Sequence, residues 1–185
     1  HNDYLGLSHH SELIKAGQEA LAKWGCSSSA SPLIAGYKEV HVELERALSR
    51  WIGMPYSLIW NTGFVANCSL LSFLPNSRSC VLTDRLIHNS VLYGLLKGEG
   101  AFRRFPHNNL DVLEAILKVV SQKFESIFVV TESVYSMDGD QADLVRLAQL
   151  KERYKFIWVL DEAHALGWYG PEGQGLAVEK GVINK

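Results

Sequence analysis

The sequence predicts an α/β fold, a three-layer arrangement in which helices cover both faces of a mostly parallel sheet. Two observations carry this. The run Ile127-Phe128-Val129-Val130 and the segment 156–160 are apolar without alternation, as strands covered on both faces are. Between such runs lie segments with apolar residues three and four apart, the period of helices that bury one side. A third observation sets the scale. The 185 residues are 47% hydrophobic and 21% charged, with a formal net charge of -2, enough to bury a core. That balance excludes a disordered tail, a collagen repeat and a strongly basic nucleic-acid arm.

Taken in order, segment 11–24 reads as a helix capped by Ser11. Leu13, Ala16, Gly17, Ala20, Leu21 and Trp24 share one face, and Gly25 is the stop. Residues 26–36, rich in Ser and Ala, read as loop. Segment 37–52 is a second helix, with Val40, Leu44, Ala47, Leu48 and Trp51 at helical spacing and Gly53 closing it. Strands over 56–60, 80–83, 102–105, 126–131 and 156–160 then alternate with helices over 63–74, 89–97, 109–120 (capped by Asn109) and 142–154. This reads as one domain, with a helical and loop part over 1–55 and a β/α core over 56–185.

No run of about 18 apolar residues exists, so no membrane partner is expected. No basic-then-apolar leader opens the chain. Cys26, Cys68 and Cys80 are odd in number and lack CxxC spacing. They read as reduced, mostly buried thiols of a cytoplasmic protein. His9, His10, His41 and His107 lack metal-ligand spacing among themselves, so no metal site is expected. Arg103-Arg104 and the tract 151–153 are short solvated faces, which argues against a nucleic-acid partner.

In open α/β sheets ligands bind beyond the carboxyl ends of the strands. Thr62-Gly63-Phe64 joins a strand to a helix start, where backbone N–H groups and the helix dipole suit a phosphate; a tight βα turn equally favours glycine. Asp161-Glu162-Ala163-His164 follows the last strand. A carboxylate there is costly unless it meets a cation or donors, and one facing a protonated ring nitrogen would hold that proton. The plainer reading is a capping Asp and a satisfied His. The same tetrapeptide is the magnesium motif of helicase-type ATPases, which also need GxxxxGK[ST] upstream; none precedes Asp161. His88, after Asp84-Arg85, suits either a structural role or stacking on a flat aromatic cofactor.

Several segments together resemble one family. They are residues 2–8, Gly36-Tyr37 with His41, and Thr62-Gly63-Phe64-Val65-Ala66-Asn67. Further along come residues 84–88, Phe105-Pro106-His107-Asn108, the long run 131–140, Asp161-Glu162-Ala163-His164 and the glycines at 170–175. In order and spacing the sequence resembles the α-oxoamine synthases, pyridoxal 5'-phosphate enzymes of the aspartate-aminotransferase fold type. The resemblance implies part of the large domain of a fold-type I transferase. It also implies an acyltransferase that joins an amino acid to an acyl-CoA or other acyl thioester with loss of carbon dioxide, working as a homodimer. It places Asp161 at the pyridine nitrogen, His88 on the ring face, and His164 and Ser136 at the phenolic oxygen. It gives the N–H groups of Gly63 and Phe64 to the phosphate, and Asn2 to the carboxylate of the amino-acid substrate. Glu132 supports the pocket from behind, while His41 and His107 are structural.

Two departures from the family pattern stand out. The usually glycine-rich loop reads Cys26-Ser27-Ser28-Ser29-Ala30-Ser31-Pro32-Leu33, which implies a different path. The family's Schiff-base lysine lies beyond Asp161-Glu162-Ala163-His164, and neither Lys180 nor Lys185 has its surroundings. The chain by itself is therefore expected not to turn over. A non-catalytic binding or dimerising module is the alternative reading.

Overall fold

The computed structural model describes residues 2–184, so Lys185 lies outside the described residues. The chain forms two compact units, one ending at Ile59 and one beginning at Trp60.

In the first unit the Asp3 carboxylate accepts from the Leu7 N–H at 2.8 Å and the Ser8 hydroxyl at 2.7 Å, which fixes the turn ahead of α1 (Ser11–Trp24). Ser11 is not the cap. A short 3-10 turn over Leu7–His9 brings the chain into the helix one residue early, so His10 holds the cap position and makes no side-chain bond there. Gly25 ends α1 at φ 78 and Gly53 ends α2 (Glu39–Ile52) at φ 79, both in the region glycine favours. Neither helix contains a buried residue, and Leu13 and Leu21 on the apolar side of α1 are 52% and 55% exposed. Cys26 is exposed as well, against the expectation of mostly buried thiols; Cys68 is half-buried and Cys80 buried.

The loop between α1 and α2 turns through Ser29 at φ 65 and one wide helical turn over Pro32–Gly36. Gly36 is buried, and a Cβ there would lie 1.8 Å from the Ala30 carbonyl oxygen. Backbone must move to admit a methyl, so Gly36→Ala is expected to destabilise this unit by about 1–3 kcal/mol. Leu33→Ala, at a side chain 93% exposed, should change stability by less than about 0.5 kcal/mol. Denaturant unfolding of the two variants checks the contrast.

The second unit holds a four-stranded sheet, all parallel, in the order β2-β1-β3-β4. The strands are β1 (Ser79–Asp84), β2 (Ala101–Phe105), β3 (Ser126–Glu132) and β4 (Ile157–Asp161). The helices are α3 (Gly63–Phe73), α4 (Asn89–Leu95), α5 (Leu110–Val120), α6 (Leu144–Tyr154) and the short α7 (Leu176–Glu179). Asn109 caps α5 by accepting from the Val112 N–H at 3.1 Å, as the sequence predicts. The strand predicted over 56–60 is absent among the described residues. Tyr56 and Leu58 are 87% and 72% exposed and join no ladder. Apolar composition makes a strand only where a neighbour pairs its backbone groups.

Alternation along the strands sorts side chains to two faces. Val81, Phe128, Val130 and Val159 pack with Leu71, Val91 and Leu95 of α3 and α4. Cys80, Leu82, Ile127 and Val129 pack with Leu113 and Leu117 of α5 and Leu144 and Leu147 of α6. These are the three layers. β1 is buried along its whole length, whereas the equally apolar β4 is half-exposed, with Ile157 at 48%. Among the described residues it pairs with β3 alone.

Candidate functional site

The chain runs from β1 to β2 on one side, then returns past β1 to build β3 and β4. The carboxyl ends of β1 and β3 therefore flank a switch in strand order, where α/β sheets receive ligands. The residues ending these strands are Asp84, Glu132 and Asp161. By alternation Glu132 and Asp161, paired across β3 and β4, share the α3/α4 face, and Asp84 belongs to the α5/α6 face.

On the α3/α4 face a chain of hydrogen bonds joins three elements. The Asn67 amide of α3 donates to Asp161 Oδ2 at 2.9 Å and contacts Ser90 Oγ at 3.0 Å. Ser90 Oγ lies 2.7 Å from His88 Nδ1, which also accepts from the Ser90 backbone N–H at 3.2 Å. Nδ1 is thus an acceptor and the ring proton sits on Nε2. The other oxygen of Asp161 accepts from the Ala163 N–H at 2.9 Å, so both carboxylate oxygens are held. His88 also caps α4 and meets the exposed Phe64 ring edge-on, with centroids 6.5 Å apart. At the start of α3, Thr62 takes the Val65 N–H with its hydroxyl at 3.1 Å and the Ala66 N–H with its carbonyl at 3.0 Å. The Gly63 and Phe64 amides remain at the open end of the helix. Both residues are exposed, and nothing lies within 4 Å of where a Gly63 Cβ would be.

Glu132 is buried to 2% exposure and its Oε1 has no hydrogen-bond partner. Burial pushes its carboxyl up to about 7, helped by the Asp161 charge and opposed by the neighbouring backbone N–H groups of His88 and Ser136. Ser136 is exposed in the turn after β3, and His164 is half-buried three residues beyond Asp161. Glu162 points away from this floor: its Oε1 accepts from the Ala177 N–H at 2.9 Å, and a Cβ on Gly175 would lie 2.3 Å from its Oε2.

The sequence-predicted residues Gly63, Phe64, His88, Glu132, Ser136 and Asp161 thus gather at one end of the sheet. Asn2 lies in the first unit and is exposed, and Lys180 is exposed and pairs with Glu179 at 3.2 Å. Sequence reasoning missed Asn67 and Ser90. Asn67 follows Gly63 by four residues, hence sits one turn along the same face of α3, and that spacing is the available signal. On the opposite face His107 does meet two acidic residues, since its ligand atoms and those of Asp138 and Asp140 lie within 4.8 Å of one another. Both ring nitrogens are engaged at 2.9 Å, by Asp84 and Asp140, which makes this an ion-pair cluster.

This end of the sheet presents a fixed carboxylate, a restrained imidazole and a glycine-led helix start to one space. They suit a flat heteroaromatic cation bearing a phosphate. The aminotransferase class I and II family model matches residues 1–182, and the chain belongs to that family. Within it, the relatives are α-oxoamine synthases that depend on pyridoxal 5'-phosphate, as the resemblance implied. The chain is 39% identical over 188 residues to the 8-amino-7-oxononanoate synthase of Chlorobaculum parvum, covering 98% of this chain and 48% of that protein. It is 38% identical over 183 residues to that of Salmonella paratyphi C, covering 98% and 46%. A serine palmitoyltransferase from S. paucimobilis solved with bound PLP superposes with a TM-score of 0.94 at 31% identity, covering 99% of this chain and 47% of that one. The 8-amino-7-oxononanoate synthase of Francisella tularensis gives 0.80 at 26% identity, covering 96% and 48%. The chain spans about half the length of the curated relatives it matches.

Proposed function

We propose that this chain supplies the cofactor-gripping part of a cytoplasmic, homodimeric C-acyltransferase. The reaction joins an amino acid to an acyl thioester with release of carbon dioxide, and the specific form is 8-amino-7-oxononanoate synthesis from L-alanine and a pimeloyl thioester, a step of biotin biosynthesis. The single observation that carries the reading is the Asp161–Asn67–Ser90–His88 chain, which ties a carboxylate and an imidazole together at the carboxyl end of the sheet.

Pyridoxal phosphate, when bound, supplies an electron sink for a carbanion beside the substrate amine. The residues of this chain do the rest. Asp161 keeps a proton on the pyridine nitrogen, and its own rotation is stopped by Asn67 and the Ala163 N–H. His88, anchored through Nδ1, offers its ring face. The Gly63 and Phe64 amides bind the phosphate dianion with the positive end of α3 behind them. Ser136 and His164 take the phenolic side, and Asn2 the carboxylate of the amino acid.

The experiment is CoA release by the full-length protein with pyridoxal phosphate. L-Alanine with pimeloyl-CoA is expected to turn over faster than glycine with acetyl-CoA, the pair of a 2-amino-3-ketobutyrate CoA ligase. The reverse preference overturns the specific reading and keeps the class. No thioester cleavage with either pair, in a protein that binds the cofactor, favours a binding module instead.

A further inference from the structure

We propose that Asn67 and Ser90 act together as one positioning unit that ties Asp161 to His88, so that the orientations of the carboxylate and the imidazole are set jointly and not one by one. What the two groups hold, a cofactor ring, rests on the proposed function. The tie itself rests on the hydrogen bonds.

Asp161 ends β4, His88 stands at the cap of α4 and Asn67 lies in α3, so no common helix or ladder joins the three. A carboxylate oxygen only accepts, which makes the Asn67 atom 2.9 Å from Asp161 Oδ2 the amide nitrogen. The same nitrogen lies 3.0 Å from Ser90 Oγ. It carries two hydrogens and accepts nothing, so one hydrogen goes to each oxygen and Ser90 Oγ is an acceptor there. The hydroxyl hydrogen of Ser90 is then left for His88 Nδ1 at 2.7 Å, whose lone pair also faces the Ser90 backbone N–H at 3.2 Å. Every donor has one destination, and the chain runs one way, from Asn67 to His88. Turning the Asn67 amide over would set its oxygen against Asp161. Turning the Ser90 hydroxyl away would leave an amide hydrogen without its acceptor beside a residue that is fully buried. Asparagine suits the middle of this chain because one atom offers two donors, where a hydroxyl offers one and a carboxylate none. Each end also has a local anchor, the Ala163 N–H for Asp161 and the Ser90 N–H for His88. Those anchors fix each group to its own segment, whereas the Asn67–Ser90 pair fixes the two groups to each other.

The test is a double-mutant cycle on the full-length protein with Asn67→Ala, Ser90→Ala and the two combined. It is read by kcat for CoA release and, before pyridoxal phosphate is added, by NMR of protein isotopically labelled at asparagine nitrogen. Each single variant breaks the tie and is expected to lower kcat by about tenfold. The double variant breaks nothing further between the two ends and should also fall by about tenfold, whereas independent effects would multiply to about a hundredfold. In the NMR spectrum Ser90→Ala should move one of the two Asn67 side-chain amide proton resonances upfield, the one released by the hydroxyl. The resonance of the hydrogen facing Asp161 should stay in place. Ser90→Cys, whose sulfur is a weak acceptor, should give the same reading if the alanine variant does not fold. A hundredfold loss in the double variant, wild-type kcat in Ser90→Ala, or two unmoved amide resonances overturns the proposal. A single shifted resonance in a protein that cleaves no thioester sustains the tie and removes the function proposed for its ends.

Discussion

Replacing Asp161 with alanine in the full-length protein is expected to lower kcat by about 100- to 1000-fold, the usual consequence of removing one preorganised electrostatic group at a reacting centre. Pyridoxal phosphate should stay bound, because the start of α3 and the His88 ring are untouched by the change. The structure makes the charge, rather than the shape, the decisive property. Both oxygens of Asp161 are already fixed by donors, Asn67 at 2.9 Å and the Ala163 N–H at 2.9 Å, so the carboxylate is oriented before any ligand arrives. Asp161→Asn keeps volume and reach but places no negative charge by the ring nitrogen. It should fall nearly as far as alanine. Asn67→Ala removes one of the two restraints and leaves the charge, and a loss nearer tenfold is expected, the lower end for partners that orient a functional group. Steady-state CoA release together with the absorbance of the bound cofactor separates these cases. Wild-type kcat in Asp161→Asn would falsify the assignment of Asp161 to the ring nitrogen.

The difference between Asp161 and Asn67 shows what a sequence can carry. Asp161 ends a run of apolar residues, and a carboxylate in that setting demands a partner, so it can be read without coordinates. Asn67 lies within a helix among small and apolar residues, where a polar side chain is unremarkable until the strand it faces is known. The sheet follows the same division. β1 and β3 have apolar middles, residues 80–82 and 127–130, and are buried there, and their boundaries fall within a residue of the pattern. Among the described residues segment 56–60 has the same kind of composition but no ladder, and β4 has the composition but pairs with β3 alone, so it is only partly buried. Local pattern reports a segment's preference, whereas pairing and burial depend on what lies beside it in space. The ion-pair cluster behind the sheet has this character too. His107, Asp84 and Asp140 are 23 and 33 residues apart by pairs, and nothing in their spacing announces a contact.

That cluster carries the largest expected loss of stability. Asp84 is fully buried and accepts from the Leu86 N–H at 2.8 Å, the Asn108 N–H at 2.8 Å and His107 Nδ1 at 2.9 Å. Asp84→Ala is expected to cost about 3–5 kcal/mol near pH 6, because it strands a charged ring and two amides in a place sealed by Tyr135. The ring is charged for a geometric reason. Both its nitrogens face carboxylate oxygens, which only accept, so it donates to both only as imidazolium. Burial alone would pull the His107 pKa down, but the hydrogen bonds and charges of Asp84 and Asp140 outweigh it and the net direction is up from 6.5. A base whose pKa is raised by folding stabilises the fold fully below its unfolded value, and that contribution is lost as pH climbs through the folded value. Glu132 acts in the same sense over a lower window, since its carboxyl rises from 4.5 to about 7 and its contribution is lost across that interval. Denaturant unfolding between pH 5 and pH 9 distinguishes the two. Glu132→Gln should remove the part of the decline below about pH 7, and His107→Gln the part that begins at about 6.5 and continues upward. The penalty of Asp84→Ala should itself shrink above that window, where His107 can shed its proton and no longer sits as an unpaired cation. A penalty that stays the same at pH 5 and pH 9 would mean that His107 is neutral in the native protein, and that the cluster is held by the amides of Leu86 and Asn108 alone.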